Sequence, residues 1–324
     1  MKAFITATGS YLPGNVVNNE DLTAQLALSA EQILKSSGIR QRHWATNNET
    51  TGSLACAALM NTGISLNVID YLLLGTMTAD RFVPGSAPAV QSATGLREIP
   101  CIDIRAACCN TLYGLQLARA LVRSQTAVTV ALCLSEIQSA FLKLTPAAAT
   151  TSMLFGDGAA SLIISSEGEA GALEIVDVHL ATDGKYVDDL SIRSPGSEFR
   201  NRPEPQDFEP RMNGQSVILH ASRRMLSACQ IVLERNSMAV DDVNWIVPHQ
   251  ANANLLLQLA RGLRLKDMSK FVSIIEHTGN TSSASMGIAL DKLFRSGALR
   301  SGDFVLLPAF AAGFTWGAAL CRVR

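Results

Sequence analysis

The sequence contains no run of about 18 apolar residues, the length a helix needs to cross a bilayer, so no membrane span is expected. It also lacks any long basic run. Pairs such as Arg223-Arg224 stand alone and the formal net charge is −1, which argues against nucleic acid as a partner. The opening, MKAFITATGSYLPG, has one lysine and an apolar stretch too short for a secretory signal, broken by Gly-Ser and Pro-Gly. The seven cysteines (Cys56, Cys101, Cys108, Cys109, Cys133, Cys229 and Cys321) include no C-x-x-C pair, and no H-x-x-x-H occurs. No metal site or cofactor is therefore expected. An odd number of thiols without a signal sequence reads as reduced cysteines in a cytoplasm.

Charged residues are also scarce, at 17%, against 48% hydrophobic. A chain of 324 residues with that balance can bury a large core and has the length of about two domain-sized units. Strand-like and helix-like segments alternate throughout. AFITATGSYL, IDYLLLGTMT and CIDI read as strands, and AVTVALCLSE as a strand covered on both faces. TTGSLACAALMNTG and NTLYGLQLARALVRS carry helical spacing, the second with Leu112, Leu115, Ala118 and Val122 on one face. The alternation predicts an α/β architecture.

The second half repeats the first in order. VIDYLLLGTMT corresponds to DVNWIVPHQAN, and VQSATGL to LQLARGL. The helix-and-strand stretch from ACCNTLYG corresponds to that from GNTSSAS, and FGDGAASLIIS to AGFTWGAALCRVR. The chain thus reads as two copies of one α/β unit, residues 1–170 and 171–324, joined near SSEGEAGA. The Pro-rich, charged segment SPGSEFRNRPEPQDFEPR (194–211) has no periodicity and suits either a linker or a cover over a site.

Three residues could carry chemistry at equivalent or adjoining places of the repeat. Cys108 and Cys109 follow CIDI and open a helix, where unpaired N–H groups and the dipole favour thiolate; the alternative is a buried structural thiol. His249, in WIVPHQAN, stands at a strand end, where a loop histidine with a structural hydrogen bond is the competing reading. Asn280, in HTGNTSSAS, suits either a helix cap or an amide donor to a developing oxyanion. Together they form a Cys–His–Asn set suited to acyl transfer from a thioester.

DIRAACCNTLYG, FGDGAASLI, VPHQAN, GNTSSAS and AFAAGFTWG, with TGSYLPGNVVNNEDL and SGIRQRH near the start, resemble the beta-ketoacyl-ACP synthase III family along the whole chain. The resemblance implies the duplicated thiolase-like fold, a five-layered α-β-α-β-α arrangement. It makes Cys108 the acyl-accepting nucleophile and Cys109 a packed neighbour. His249 and Asn280 then orient a malonyl thioester for decarboxylative condensation, and the backbone N–H groups of Cys108 and Ala312 form an oxyanion hole. It places Asn252 on the pantetheine channel, Phe310 near the cysteine pocket, and Val83 where relatives send a phenylalanine across a homodimer interface. An acyl carrier protein and acyl and malonyl thioesters are the implied partners, in fatty acid or specialised polyketide-type biosynthesis.

The sequence departs from the family at several positions. Gln32, Ser36 and Ala149 replace the tryptophan and two arginines that clamp coenzyme A in acetyl-CoA-primed relatives. Ala311 and Ala312 replace glycines, and Arg105 stands where small residues are usual. Asn254 takes a basic position of the carrier-protein surface, while Arg261 and Arg264 remain on the same helix. The missing clamp points toward a specialised branch of the family. Acyl transfer to an alcohol or amine, without carbon–carbon bond formation, is the alternative reading of the same residues.

Overall fold

The apolar runs become central strands and the small-residue segments become the helices between them. The computed structural model describes residues 1–201 and 203–324. Its first half contains β1 (Phe4–Tyr11), β2 (Asn15–Asn18), α1 (Asn19–Leu26), α2 (Ala30–Ser37), β3 (Gln41–Trp44), α3 (Thr51–Met60) and β4 (Tyr71–Gly75). It continues with α4 (Ala87–Thr94), β5 (Cys101–Ile104), α5 (Asn110–Arg123), β6 (Thr129–Glu136), α6 (Ala149–Ser152) and β7 (Gly158–Ser165). The second half contains β8 (Leu173–Thr182), β9 (Leu190–Ser191), β10 (Arg211–Met212), α7 (Gly214–Arg235), β11 (Trp245–Ile246) and α8 (Ala253–Gly262). It ends with α9 (Ile275–Thr278), α10 (Ser285–Arg295), β12 (Phe304–Ala311) and β13 (Thr315–Val323).

The strands order as β5-β4-β6-β7-β1 and then β8-β13-β12-β11. The pairing repeats in kind. β1–β7 and β8–β13 are antiparallel, as are β7–β6 and β13–β12, whereas β6–β4 and β12–β11 are parallel. Phe271 bridges Ile246 in parallel, as β5 lies against β4. The two sets of strands meet where β1 and β8 share only the pairs Phe4↔Glu174 and Ile5↔Leu173.

Side-chain alternation along the strands builds the layers. Leu132 and Leu134 of β6 face a central core with Leu112, Leu115, Ala118 and Val122 of α5, while Ala131 and Cys133 face α3 and α4. In the second half Val305, Leu307 and Ala309 of β12 join the same central core with Ile288 and Leu290 of α10. Leu306 and Phe310 turn the other way, toward α7 and α8. The result is five layers: α3 and α4, a sheet, α5 and α10, a sheet, α7 and α8. The chain adopts the thiolase-like α/β fold.

The central helices are squeezed from both sides, which explains their glycines. A Cβ on Gly114 would lie 2.4 Å from Leu132 Cδ1, and one on Gly287 would lie 2.6 Å from the Ala160 Cβ.

Segment 194–211 is folded around Asp207, apart from Arg202, which lies outside the described residues. The buried Asp207 carboxylate accepts from the Glu204 N–H at 3.0 Å and from Arg211 at 2.8 Å. Its carbonyl accepts from the N–H groups of Arg193 and Ser194. Just upstream, Tyr186 stacks on Phe314 at 5.1 Å, and Asp183 and Phe314 exchange backbone hydrogen bonds of 2.8 and 3.0 Å.

Candidate active site

Two equivalent turns meet at the centre of the molecule. Ala107–Cys109 forms a 3-10 turn ahead of α5, and Ser282–Ala284 forms one ahead of α10. Each opens with a non-glycine residue in the left-handed region, Ala107 at φ 48° and Ser282 at φ 49°. Such backbone costs on the order of 1–3 kcal/mol per residue and persists only where the surroundings enforce it. The enforcing contacts are visible: Thr111 Oγ1 donates to the Ser283 carbonyl at 3.0 Å, and the Ala106 N–H donates to Asn110 Oδ1 at 2.6 Å.

Cys108 is half-buried, with its Sγ 3.6 Å from Ser282 Oγ. Cys109 is fully buried, and its Sγ contacts the Thr315 carbonyl at 3.5 Å. The expected dipole effect on Cys108 is reversed. Burial pushes its thiol up to about 12; the Ser282 hydroxyl opposes that shift and the charge of Glu136 adds to it. A low-dielectric wall outweighs two residues' worth of helix terminus.

His249 is 3% exposed, and its N–H donates to the Pro308 carbonyl at 2.9 Å. Its Nδ1 lies 2.7 Å from Ser285 Oγ, the first residue of α10. Ser285 Oγ also accepts the Gln250 N–H at 3.1 Å. Burial lowers the imidazole to about 4, so it is neutral at pH 7.

Asn280 does not cap α10. Its Oδ1 accepts the Ser282 N–H at 2.8 Å, and its backbone is bonded on both sides, N–H to Leu154 O at 2.9 Å and C=O from Gly156 N–H at 3.0 Å. The segment Asn280–Ser285 therefore holds one residue of the set and touches the other two, Cys108 through Ser282 and His249 through Ser285. Among the described residues, neither the Cys108 nor the Ala312 N–H is taken up by another backbone group.

The remaining expected positions are more dispersed. Asn252 caps α8 through the Asn254 N–H and donates to the Ser36 carbonyl at 3.1 Å. Asn254 donates to the same carbonyl at 3.0 Å, so both amides tie α8 to the end of α2. Phe310 is buried with its ring 4.8 Å from Phe314, on the sheet face turned to α7, while Ala309 and Ala311 face the central core. Val83 is 77% exposed beside Phe82, at 84%. Arg105 points to solvent. Gln32 spends its side chain accepting the Ser29 N–H in the capping box of α2, and Ala149 is buried.

Sequence reasoning missed Glu136, the fully buried end of β6. Its Oε2 accepts from the Met77 N–H at 3.1 Å, Thr78 Oγ1 at 3.0 Å and Gln138 Nε2 at 3.3 Å. Its Oε1 accepts from Ser282 Oγ at 3.2 Å. An acid closing an otherwise apolar strand (TVALCLSE) was the available signal. No helix among the described residues is long and apolar enough to cross a membrane.

Residues 102–184 match the family model for 3-oxoacyl-[acyl-carrier-protein] synthase III, and residues 233–323 match that for its C-terminal part. The chain is 36% identical to the beta-ketoacyl-[acyl-carrier-protein] synthase III of Chlamydia caviae, covering 99% of this chain and 97% of that protein. The 3-oxoacyl-(acyl carrier protein) synthase III structure from Pseudomonas aeruginosa PAO1 superposes with a TM-score of 0.91 at 32% identity, over 100% of this chain and 98% of that one. A priming beta-ketosynthase of the R1128 polyketide pathway gives 0.89 at 28% identity, over 99% of this chain and 96% of that one. The chain belongs to the beta-ketoacyl-ACP synthase III family of condensing enzymes, which act through a cysteine nucleophile on acyl and malonyl thioesters.

Proposed function

We propose that Cys108 takes the acyl group and that His249 and Asn280 direct the decarboxylative condensation with a malonyl thioester. One observation carries this reading: the segment Asn280–Ser285, which contains Asn280, contacts Cys108 through Ser282 and His249 through Ser285, linking residues of the halves 1–170 and 171–324. The Cys108 sulfur attacks the thioester carbonyl, its proton ends on the departing thiol, and the free N–H groups of Cys108 and Ala312 hold the oxyanion. Ser285 Oγ accepts from Gln250, which leaves its own proton for His249 Nδ1 and the imidazole proton on Nε2. Asn280 commits Oδ1 to Ser282 and keeps Nδ2 for the substrate. Two neutral donors then face the oxygen of the enolate formed as malonyl loses carbon dioxide. The enolate carbon attacks the acyl group, and the Cys108 sulfur leaves.

The acyl donor is an acyl carrier protein in preference to coenzyme A. Gln32 is folded back as a cap, the Ser36 carbonyl is occupied by Asn252 and Asn254, and Ala149 offers no charge. Asn252 remains our candidate for the channel edge and Phe310 for a buried support of the pocket. The exposed pair Phe82 and Val83 supports a homodimer in which Val83 meets the partner's acyl pocket. The free cysteines suit a reducing, cytoplasmic compartment.

Product mass tests this reading. Incubation with an acyl carrier protein carrying an acyl group, plus malonyl carrier protein, should yield a beta-ketoacyl thioester and release carbon dioxide. Transfer of the intact acyl group to an alcohol or amine, with no loss of carbon dioxide, would overturn it. A rate with acetyl-CoA equal to that with acetyl carrier protein would overturn the donor preference.

A further inference from the structure

Ser282 has one hydroxyl proton and two groups that want it. Its Oγ lies 3.2 Å from Glu136 Oε1 and 3.6 Å from Cys108 Sγ. Ser282 is 3% exposed and Glu136 is 0% exposed, so water does not arbitrate between the serine and the carboxylate; Cys108 beside them is half-buried. In such surroundings each hydrogen bond is worth more than in solvent, and so is its loss.

We propose that Glu136 is a positioning residue that acts on Cys108 through Ser282, holding the Ser282 hydroxyl proton and thereby keeping Cys108 a thiol until substrate binds. The inference rests on Cys108 being the reactive thiol. Burial raises the Glu136 carboxyl, while hydrogen bonds from Ser283, Met77, Thr78 and Ser282 favour its ionised form; in that form the Ser282 O–H points to Oε1 and the serine oxygen accepts the Cys108 S–H. Moving the serine proton to the sulfur leaves Oε1 one donor short, so the carboxylate opposes thiolate formation both by charge and by competition for this proton. The shift of the Cys108 thiol upward, with Glu136 among its causes, agrees with that sign. The titratable groups around the thiol are Glu136 from β6, Cys109 from its own turn, and His249, which reaches the same segment through Ser285.

The carboxylate's own partners make the test clean. Three donors converge on Oε2, from Met77, Thr78 and Gln138. A glutamine at this position will turn its carbonyl oxygen toward them and its amide NH2 toward Ser282. The amide then donates to Ser282 Oγ, which releases the serine proton to Cys108. Glu136→Gln is thus nearly isosteric and satisfied, and it reverses the direction of the Ser282 hydrogen bond.

The experiment follows Cys108 by two readouts: ultraviolet thiolate absorbance, taken as the difference from Cys108→Ala, and the iodoacetamide alkylation rate at pH 8 with the site mapped by peptide mass. Glu136→Gln should ionise about 1 unit lower and alkylate about tenfold faster than wild type. Ser282→Ala should ionise higher and alkylate more slowly; alanine fits that backbone, as Ala107 shows at φ 48°. In the Ser282→Ala background the effect of Glu136→Gln should shrink to about threefold or less. Unchanged ionisation in folded Glu136→Gln, or an undiminished effect in the double variant, would overturn the proposal. If Glu136→Gln does not fold, an unmoved profile in Ser282→Ala overturns it alone. Alkylation needs no thioester, so a failure of acyl loading at Cys108 would remove the nucleophile reading without producing either result.

Discussion

At the scale of single residues, burial decides the chemistry more than helix position does. Cys108 lies two residues before α5, where the dipole alone would lower its pKa, yet desolvation takes the thiol to about 12. The same effect keeps His249 neutral, and its sign can be followed into stability. Folded His249 titrates near 4 and an unfolded histidine near 6.5, so between those values the unfolded chain binds the extra proton. Stability from this residue is complete above pH 6.5 and is lost as pH falls toward 4, by about 1.4 kcal/mol per unit and about 3 kcal/mol in all. Denaturant midpoints should therefore fall more steeply with acid in wild type than in His249→Gln; parallel curves would contradict the buried neutral imidazole. Kinetically, His249→Ala should leave acyl loading of Cys108 within a few-fold and slow malonyl decarboxylation by about 10²–10³, the usual cost of one lost oxyanion donor. Equal losses in both half-reactions would instead make His249 a base for Cys108.

At the scale of elements, the repeat was legible because each half keeps the same order of strand, turn and helix. The all-buried β6 read directly as a doubly covered strand, and Leu112, Leu115, Ala118 and Val122 did line one core face of α5. Glu136 carried only the weak signal of an acid closing an apolar strand, because apart from Gln138 its side-chain partners Thr78 and Ser282 are 58 and 146 residues away. The choice of Cys108 over Cys109 came from the family motif, and side-chain direction in the 3-10 turn is a matter no periodicity encodes. By composition segment 194–211 suited either a linker or a cover over a site; in the structure it is folded around Asp207, which accepts from Glu204 and Arg211. The packing of α10 offers its own test. Gly287→Ala would set a methyl group 2.6 Å from the Ala160 Cβ, where neither atom can swing aside, and should cost about 1–3 kcal/mol by thermal or denaturant unfolding. Gly14→Ala, with nothing within 4 Å, is the control and should be near neutral. Equal stability of the two variants would mean the central layer is looser than described.

At the scale of the whole molecule, the two halves share a narrow seam of strand pairing and a broad common core, and the candidate site lies where their helix-opening turns touch. Neither half alone holds the set: Cys108 and Glu136 come from the first, His249, Asn280 and Ser282 from the second. That arrangement explains why the family resemblance was needed to assign roles. The sequence places the residues at matching points of a repeat, but only the packed halves bring a sulfur, an imidazole and an amide onto one short segment. The same packing bonds α2 to α8 through Ser36, Asn252 and Asn254. The most direct measurement is intact-protein mass after incubation with acyl groups on carrier protein and on coenzyme A, with the adduct mapped by peptide mass and Cys108→Ala as control. The expected result is one acyl group on Cys108, faster from the carrier protein, and none on the control. Labelling at Cys109, or no labelling from any donor, would contradict it.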